Sequence, residues 1–152
     1  MGRIHNFVLN GAFGTGADHS KTFNIDWDKM PSDCSYKLTF AFTSNGQGDQ
    51  FTQVANLYCN LGQSHNIVCS SDNFNNTSGI FLGFLRPLGF PITGTNYGAL
   101  YADINTNPPT FLYRRPQQTS TTVFFHTSVS TTANYTNATG NYTLILSFEE
   151  LD

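Results

Sequence analysis

Charge is scarce in this chain. Lys, Arg, Asp and Glu make up 11% of its 152 residues, where about 25% is ordinary for a soluble domain. The net charge is −3, and of Arg3, Arg86, Arg114 and Arg115 only the last two adjoin. That argues against a nucleic-acid groove, which needs clustered Lys and Arg. Three Lys and two Glu leave few strong helix formers. Long apolar runs are missing too. The longest, Ile80 to Leu85, is strand-sized and broken by Gly83, well short of the roughly 18 residues of a membrane span. The first residues hold no apolar run of signal-peptide length. Cys34, Cys59 and Cys69 are odd in number and follow no metal spacing. Buried free thiols are expected, which fits assembly in a reducing compartment.

What fills the chain instead is Asn, Ser and Thr, 16, 12 and 19 of them, with 14 Phe and 7 Tyr. So many aromatics argue against disorder and suit strands. A surface this poor in charge is weakly soluble. Two readings of it stand: a bias toward Asn and Thr, or a surface largely covered by other subunits.

The apolar period is two throughout. Tyr36, Leu38, Phe40 and Phe42 alternate with polar neighbours. So do Tyr142, Leu144, Leu146 and Phe148; Phe23, Ile25 and Trp27; and Ala55, Leu57, Cys59 and Leu61. Such alternation marks strands with one buried face. Val123, Phe125, Thr127 and Val129 give a weaker case. Further strands are expected at Arg3–Leu9, Asn66–Cys69, Gly79–Leu85, Ala99–Ile104 and Thr110–Arg115, making about ten. Turn clusters at Gly11–Gly16, Met30–Asp33, Ser44–Asp49, Ser70–Ser78, Arg86–Tyr97 and Asn105–Pro109 separate them. Thr110–Arg115 and Thr121–Val129 read as a hairpin. Pro108, Pro109 and Pro116 bracket Thr110–Arg115 as a short strand near an edge. The expected fold is all-β: one antiparallel β-sandwich domain over residues 1–152, a single jelly roll of about 8–10 strands.

No constellation for chemistry emerges. Gly11, Gly14 and Gly16 have the wrong spacing for a dinucleotide or phosphate loop, and no helix follows. Asp26 and Asp28 share a face if Lys21–Trp27 is a strand, yet nothing suggests a buried pocket around them. His5, His19, His65 and His126 form no metal-ligand pattern, including the His-x-His of cupin-type jelly rolls. Gln63-Ser64-His65 lacks the frame of a nucleophile elbow. No enzyme activity, cofactor or metal is expected. Tyr97, Tyr101, Phe111 and Tyr113 could stack on sugar rings, with Arg114 and Arg115 adding polar contacts.

The stretches from Ser35 to Phe42, Ala102 to Pro109, Tyr113 to Pro116 and Tyr142 to Glu150 together resemble small minor-capsid and penton-type jelly-roll proteins of large icosahedral DNA viruses. The resemblance implies a non-catalytic virion component that sits beneath or between major capsid oligomers, assembled in the host cytoplasm. Penton subunits often carry extra domains, for which 152 residues leave no room, so a cementing role is implied rather than a vertex one. Expected partners are the major capsid protein, other capsid subunits and further copies of the chain. Phe111, Tyr113, Arg114 and Arg115 are the candidate contact residues. The alternative is a carbohydrate-binding, lectin-like sandwich such as a virus attachment head.

Overall fold

The computed structural model describes residues 2–12, 21–47, 55–59, 61, 80–88, 97–117, 120–127 and 139–151. Nine strands lie among them: β1 (Ile4–Ala12), β2 (Lys21–Asn24), β3 (Ser35–Gln47), β4 (Ala55–Cys59), β5 (Ile80–Leu88), β6 (Tyr97–Ala102), β7 (Thr110–Leu112), β8 (Ser120–Thr127) and β9 (Thr139–Leu151). Every pairing is antiparallel.

The ladder reads β1-β9-β3-β6-β5-β4-β8-β2, with β7 beside β3. It folds at β5, which pairs β4 through Ile80–Leu85 and β6 through Arg86–Leu88. One sheet is therefore β1-β9-β3-β6 and the other β2-β8-β4-β5. Most connections cross from one sheet to the other, which is the winding of a jelly roll. The expected β-sandwich is the observed one, with β7 as an addition.

The period-two pattern sets the core. Tyr36, Leu38, Phe40 and Phe42 of β3, and Tyr142, Leu144, Leu146 and Phe148 of β9, all point inward and are buried. Leu57 and Cys59 of β4, and Leu82 and Leu85 of β5, face them from the other sheet. Two aromatic knots tie the layers. Phe148 meets Phe7, Trp27 and Tyr36 edge-on, at ring-centroid distances of 5.7, 5.5 and 6.2 Å. Tyr142 stacks on Phe42 at 5.5 Å and meets Phe23 of β2 at 6.5 Å. The Cys59 thiol lies wholly in this core, and burial pushes its pKa up, so it stays a protonated small hydrophobe. Cys34 is also a free thiol. Cys69 and the Asn66–Cys69 strand expectation fall outside the described residues.

Four local expectations are corrected. The strand from Lys21 stops at Asn24, and Trp27–Lys29 form a 3₁₀ turn. Asp26 causes it: its carboxylate accepts the Asp28 N–H at 3.0 Å, and Met30 N–H then closes on the Trp27 carbonyl at 3.0 Å. The turn signals at Ser44–Asp49 and Arg86–Tyr97 begin too early. β3 runs on to Gln47 because β9 and β6 flank it there, and Arg86–Leu88 are held by β6. The expected hairpin of Thr110–Arg115 with Thr121–Val129 does not form. β7 pairs β3 in one sheet, while β8 pairs β2 and β4 in the other.

A bulge interrupts the β4–β5 ladder, where Leu57 pairs Gly83 but Tyr58 pairs Phe81. Gly83 has φ of 154°, and a Cβ there would lie 2.6 Å from Asn107 Cγ. Both features suit glycine alone. Gly83→Ala is expected to lower stability by roughly 1–3 kcal/mol, read as a lower urea midpoint at unchanged slope.

Candidate interaction surface

Asn107 occupies the space that Gly83 leaves. Its side-chain Oδ1 accepts the Phe84 N–H at 3.0 Å, and its Nδ2 donates to the Phe84 carbonyl at 3.1 Å. The side-chain amide thus replaces a neighbouring strand and clamps the β6–β7 connection to β5. Asp103 shapes that connection. Its carboxylate accepts from Asn105 N at 2.8 Å, and its carbonyl accepts from Thr106 N and Oγ1 at 3.2 and 2.9 Å. The turn leaves Ile104 at the surface.

β7 follows. Leu112 goes into the core opposite Tyr36, and Phe111 faces out opposite Lys37. Phe111 is 60% exposed and Tyr113 79%. The Tyr113 backbone is fixed, since its carbonyl accepts from Ser35 Oγ at 3.0 Å. Of six large apolar side chains exposed among the described residues, four belong to this margin: Phe84, Ile104, Phe111 and Tyr113. The other two, Ile4 and Val8, lie on β1.

Of the four candidate contact residues, Phe111 and Tyr113 present their rings outward, and Arg114 is exposed. Arg115 turns inward. Its Nη1 donates to the carbonyls of Met30 at 2.5 Å and Trp27 at 3.5 Å, and its Nη2 pairs with Asp28 Oδ1 at 3.2 Å. It closes the 3₁₀ turn, where carbonyls left open attract a cation. The two arginines therefore do not act as a pair. Asp26 and Asp28 are absorbed by the same device, one as cap and one as ion partner.

The register rows continue the surface across the sheet. Phe111, Lys37, Glu149 and Ile4 lie opposite one another in turn. Lys37 Nζ and Glu149 Oε2 are 3.7 Å apart. Ser147 Oγ donates to Asn6 Oδ1 at 2.7 Å, and Thr143 Oγ1 donates to Asn10 Oδ1 at 2.8 Å. Between these polar rungs lies the apolar row Val8–Ile145–Ala41. Sequence reasoning missed Phe84, Ile104, Ile4 and Val8. The only local signal was Asp103-Ile-Asn-Thr-Asn107, a polar turn with one large apolar residue inside it.

Tyr101 is half-buried opposite Thr43 and Arg86, and Tyr97 opens β6 opposite Gln47. Among the described residues, two open clefts of about 630 Å³ lie elsewhere. One includes Lys21, Asn10 and Asn141, and the other Trp27, Asp28 and Gln117. Neither is lined by Phe111, Tyr113 or Tyr101. Among the described residues no group of three His, Cys, Asp or Glu is placed to hold a metal ion, and no helix is long and apolar enough to cross a membrane.

No family model matches the chain, and no curated protein matches it. A solved structure titled Desmodium yellow mottle tymovirus is similar over 100% of this chain and 84% of its own, at 9% identity and a TM-score of 0.28. The fold and the surface stand on the chain's own strands and residues.

Proposed function

We propose that this chain is a structural virion component, a minor capsid protein that bridges or cements major capsid oligomers through protein–protein contacts. The carrying observation is the exposure of Phe111 and Tyr113 on a margin with fixed backbone. Large aromatic rings exposed on a fixed backbone suit the anchors of protein interfaces, because they bury much area for little lost side-chain freedom. A charge-poor face of Asn, Ser and Thr rungs beside them suits coverage by a neighbouring subunit. Jelly rolls serve capsids and lectins alike, so the fold leaves the choice to the surface. A sugar site needs an aromatic platform in a concavity, and these rings stand outside both clefts described. The reading assigns the chain no catalysis.

The test is co-sedimentation of the purified chain with major capsid oligomers of the virus that encodes it. The wild type is expected to travel with them. The variant carrying Phe111→Ser and Tyr113→Ser is expected to bind roughly thirtyfold more weakly, the loss of about 2 kcal/mol at a hot spot, with an unchanged circular dichroism spectrum. A wild-type chain that does not travel with the oligomers would contradict the reading. So would specific glycan binding abolished by Tyr113→Ala.

A further inference from the structure

Among the described residues three strands have a neighbour on one side only: β1, β2 and β7. Two are blunted. β2 is four residues long and opens on the exposed Lys21. β7 is three residues long, preceded by Pro108 and Pro109 and followed by Arg114, Arg115 and Pro116. Short length, charge and proline are the devices that keep an edge from pairing with another chain. β1 has none of them within its length, and the exposed Arg3 is the one charged side chain that flanks its start. The strand runs for nine residues, Ile4–Ala12, without Lys, Arg, Asp, Glu or Pro.

Its backbone phase follows from one bond. Glu150 N–H donates to the Arg3 carbonyl at 2.9 Å. In an antiparallel ladder the bonded residues alternate. Arg3, His5, Phe7 and Leu9 therefore bond toward β9, while Ile4, Asn6, Val8 and Asn10 turn their N–H and C=O groups to the open side. The strand is also anchored: Leu9 is buried and Phe7 packs against Trp27 at 4.9 Å. Ile4 and Val8 stand 55% and 57% exposed on its outer face.

We infer that β1 pairs antiparallel with β1 of a second copy about a two-fold axis, joining two sheets into one. The edge suits its own copy. The residues that would meet are Ile4, Asn6, Val8 and Asn10, so two-fold pairing sets no like charges opposite each other. The nearby carboxylates are already matched inside the chain, Glu149 by Lys37 and Glu150 by His5, whose Nε2 lies 2.7 Å from Glu150 Oε1. Within Ile4–Ala12 a charged foreign strand would find no counter-charge, and the one cation beside it is the exposed Arg3 that precedes the strand. The contact lies on the opposite margin of the sheet from β7, and stands whether or not the β7 margin meets a capsid.

The experiment is sedimentation of the full chain across a concentration series, with amide hydrogen exchange at high and low concentration. A dimer is expected, with the Ile4, Asn6, Val8 and Asn10 amides protected in it and exchanging freely after dilution. Val8→Pro removes no bond to β9, since the Val8 N–H faces the open side. It is expected to raise the dimer dissociation constant by roughly tenfold or more, while Phe111→Ser leaves the dimer intact. A wild type that stays monomeric with these four amides unprotected would overturn the inference. A dimer in which they exchange freely would do the same. If Val8→Pro fails to fold, the wild-type exchange pattern decides alone.

Discussion

Phe148→Ala is expected to destabilise the fold by about 3–5 kcal/mol, the range for emptying an aromatic site in a core that relaxes only in part. Phe148 is fully buried in the C-terminal part of β9, the longest-paired strand with β3, opposite Leu38. Its ring is the shared partner of Phe7 from β1, Trp27 from the 3₁₀ turn and Tyr36 from β3. Removing it therefore loosens three separate elements. Edge-on contacts add about 0.5–1.5 kcal/mol each beyond burial, so the upper part of the range is expected. Since a domain is stable by only about 5–15 kcal/mol, the variant should populate unfolded chain at room temperature. Urea titration followed by tryptophan fluorescence checks this directly, because Trp27 is the chain's one Trp and touches the ring removed. A midpoint within error of the wild type would refute the central place given to Phe148.

Arg115→Ala is expected to lower stability by about 2 kcal/mol, in the range for hydrogen bonds from a charged donor. Arg115 is only 22% exposed along its side chain and joins segments 85 residues apart, bonding Met30 and Trp27 carbonyls and Asp28. Its loss frees the 3₁₀ turn and the backbone that follows β7. Arg115→Lys should recover only part of the effect, since one ammonium cannot reproduce a planar fork reaching two carbonyls and a carboxylate. Urea midpoints of both variants test this. Equal midpoints for the wild type and Arg115→Ala would return Arg115 to the surface role that the sequence alone suggested.

The alternation of Tyr36 to Phe42 and of Tyr142 to Phe148 made the sandwich legible, because a sheet with one buried face imprints its period on every strand. The same pattern misled at Trp27. Phe23, Ile25 and Trp27 keep the period of two, yet only the first lies in a strand. Burial on one side continues into the 3₁₀ turn, so hydrophobicity does not mark where the strand ends. Asp26, an acceptor two residues before Asp28, was the available sign. The role of Arg115 was not legible at all, because its partners are carbonyls distant in sequence. Adjacent arginines look alike until the fold sends one inward. The margin built by Gly83, Phe84 and Asn107 was hidden for the same reason: a clamp between residues 23 apart leaves no local pattern. The open edge of β1 depends on strand order, which alternation does not encode.

The proposed role makes the chain part of a virion. Its most direct test is quantitative mass spectrometry of purified, salt-washed particles of the encoding virus. The expected result is this chain at a fixed ratio to the major capsid protein across preparations, with the ratio falling when Phe111 and Tyr113 are replaced by Ser. Particles of normal composition that lack the chain, or carry it at a ratio that falls with each wash, would contradict the account.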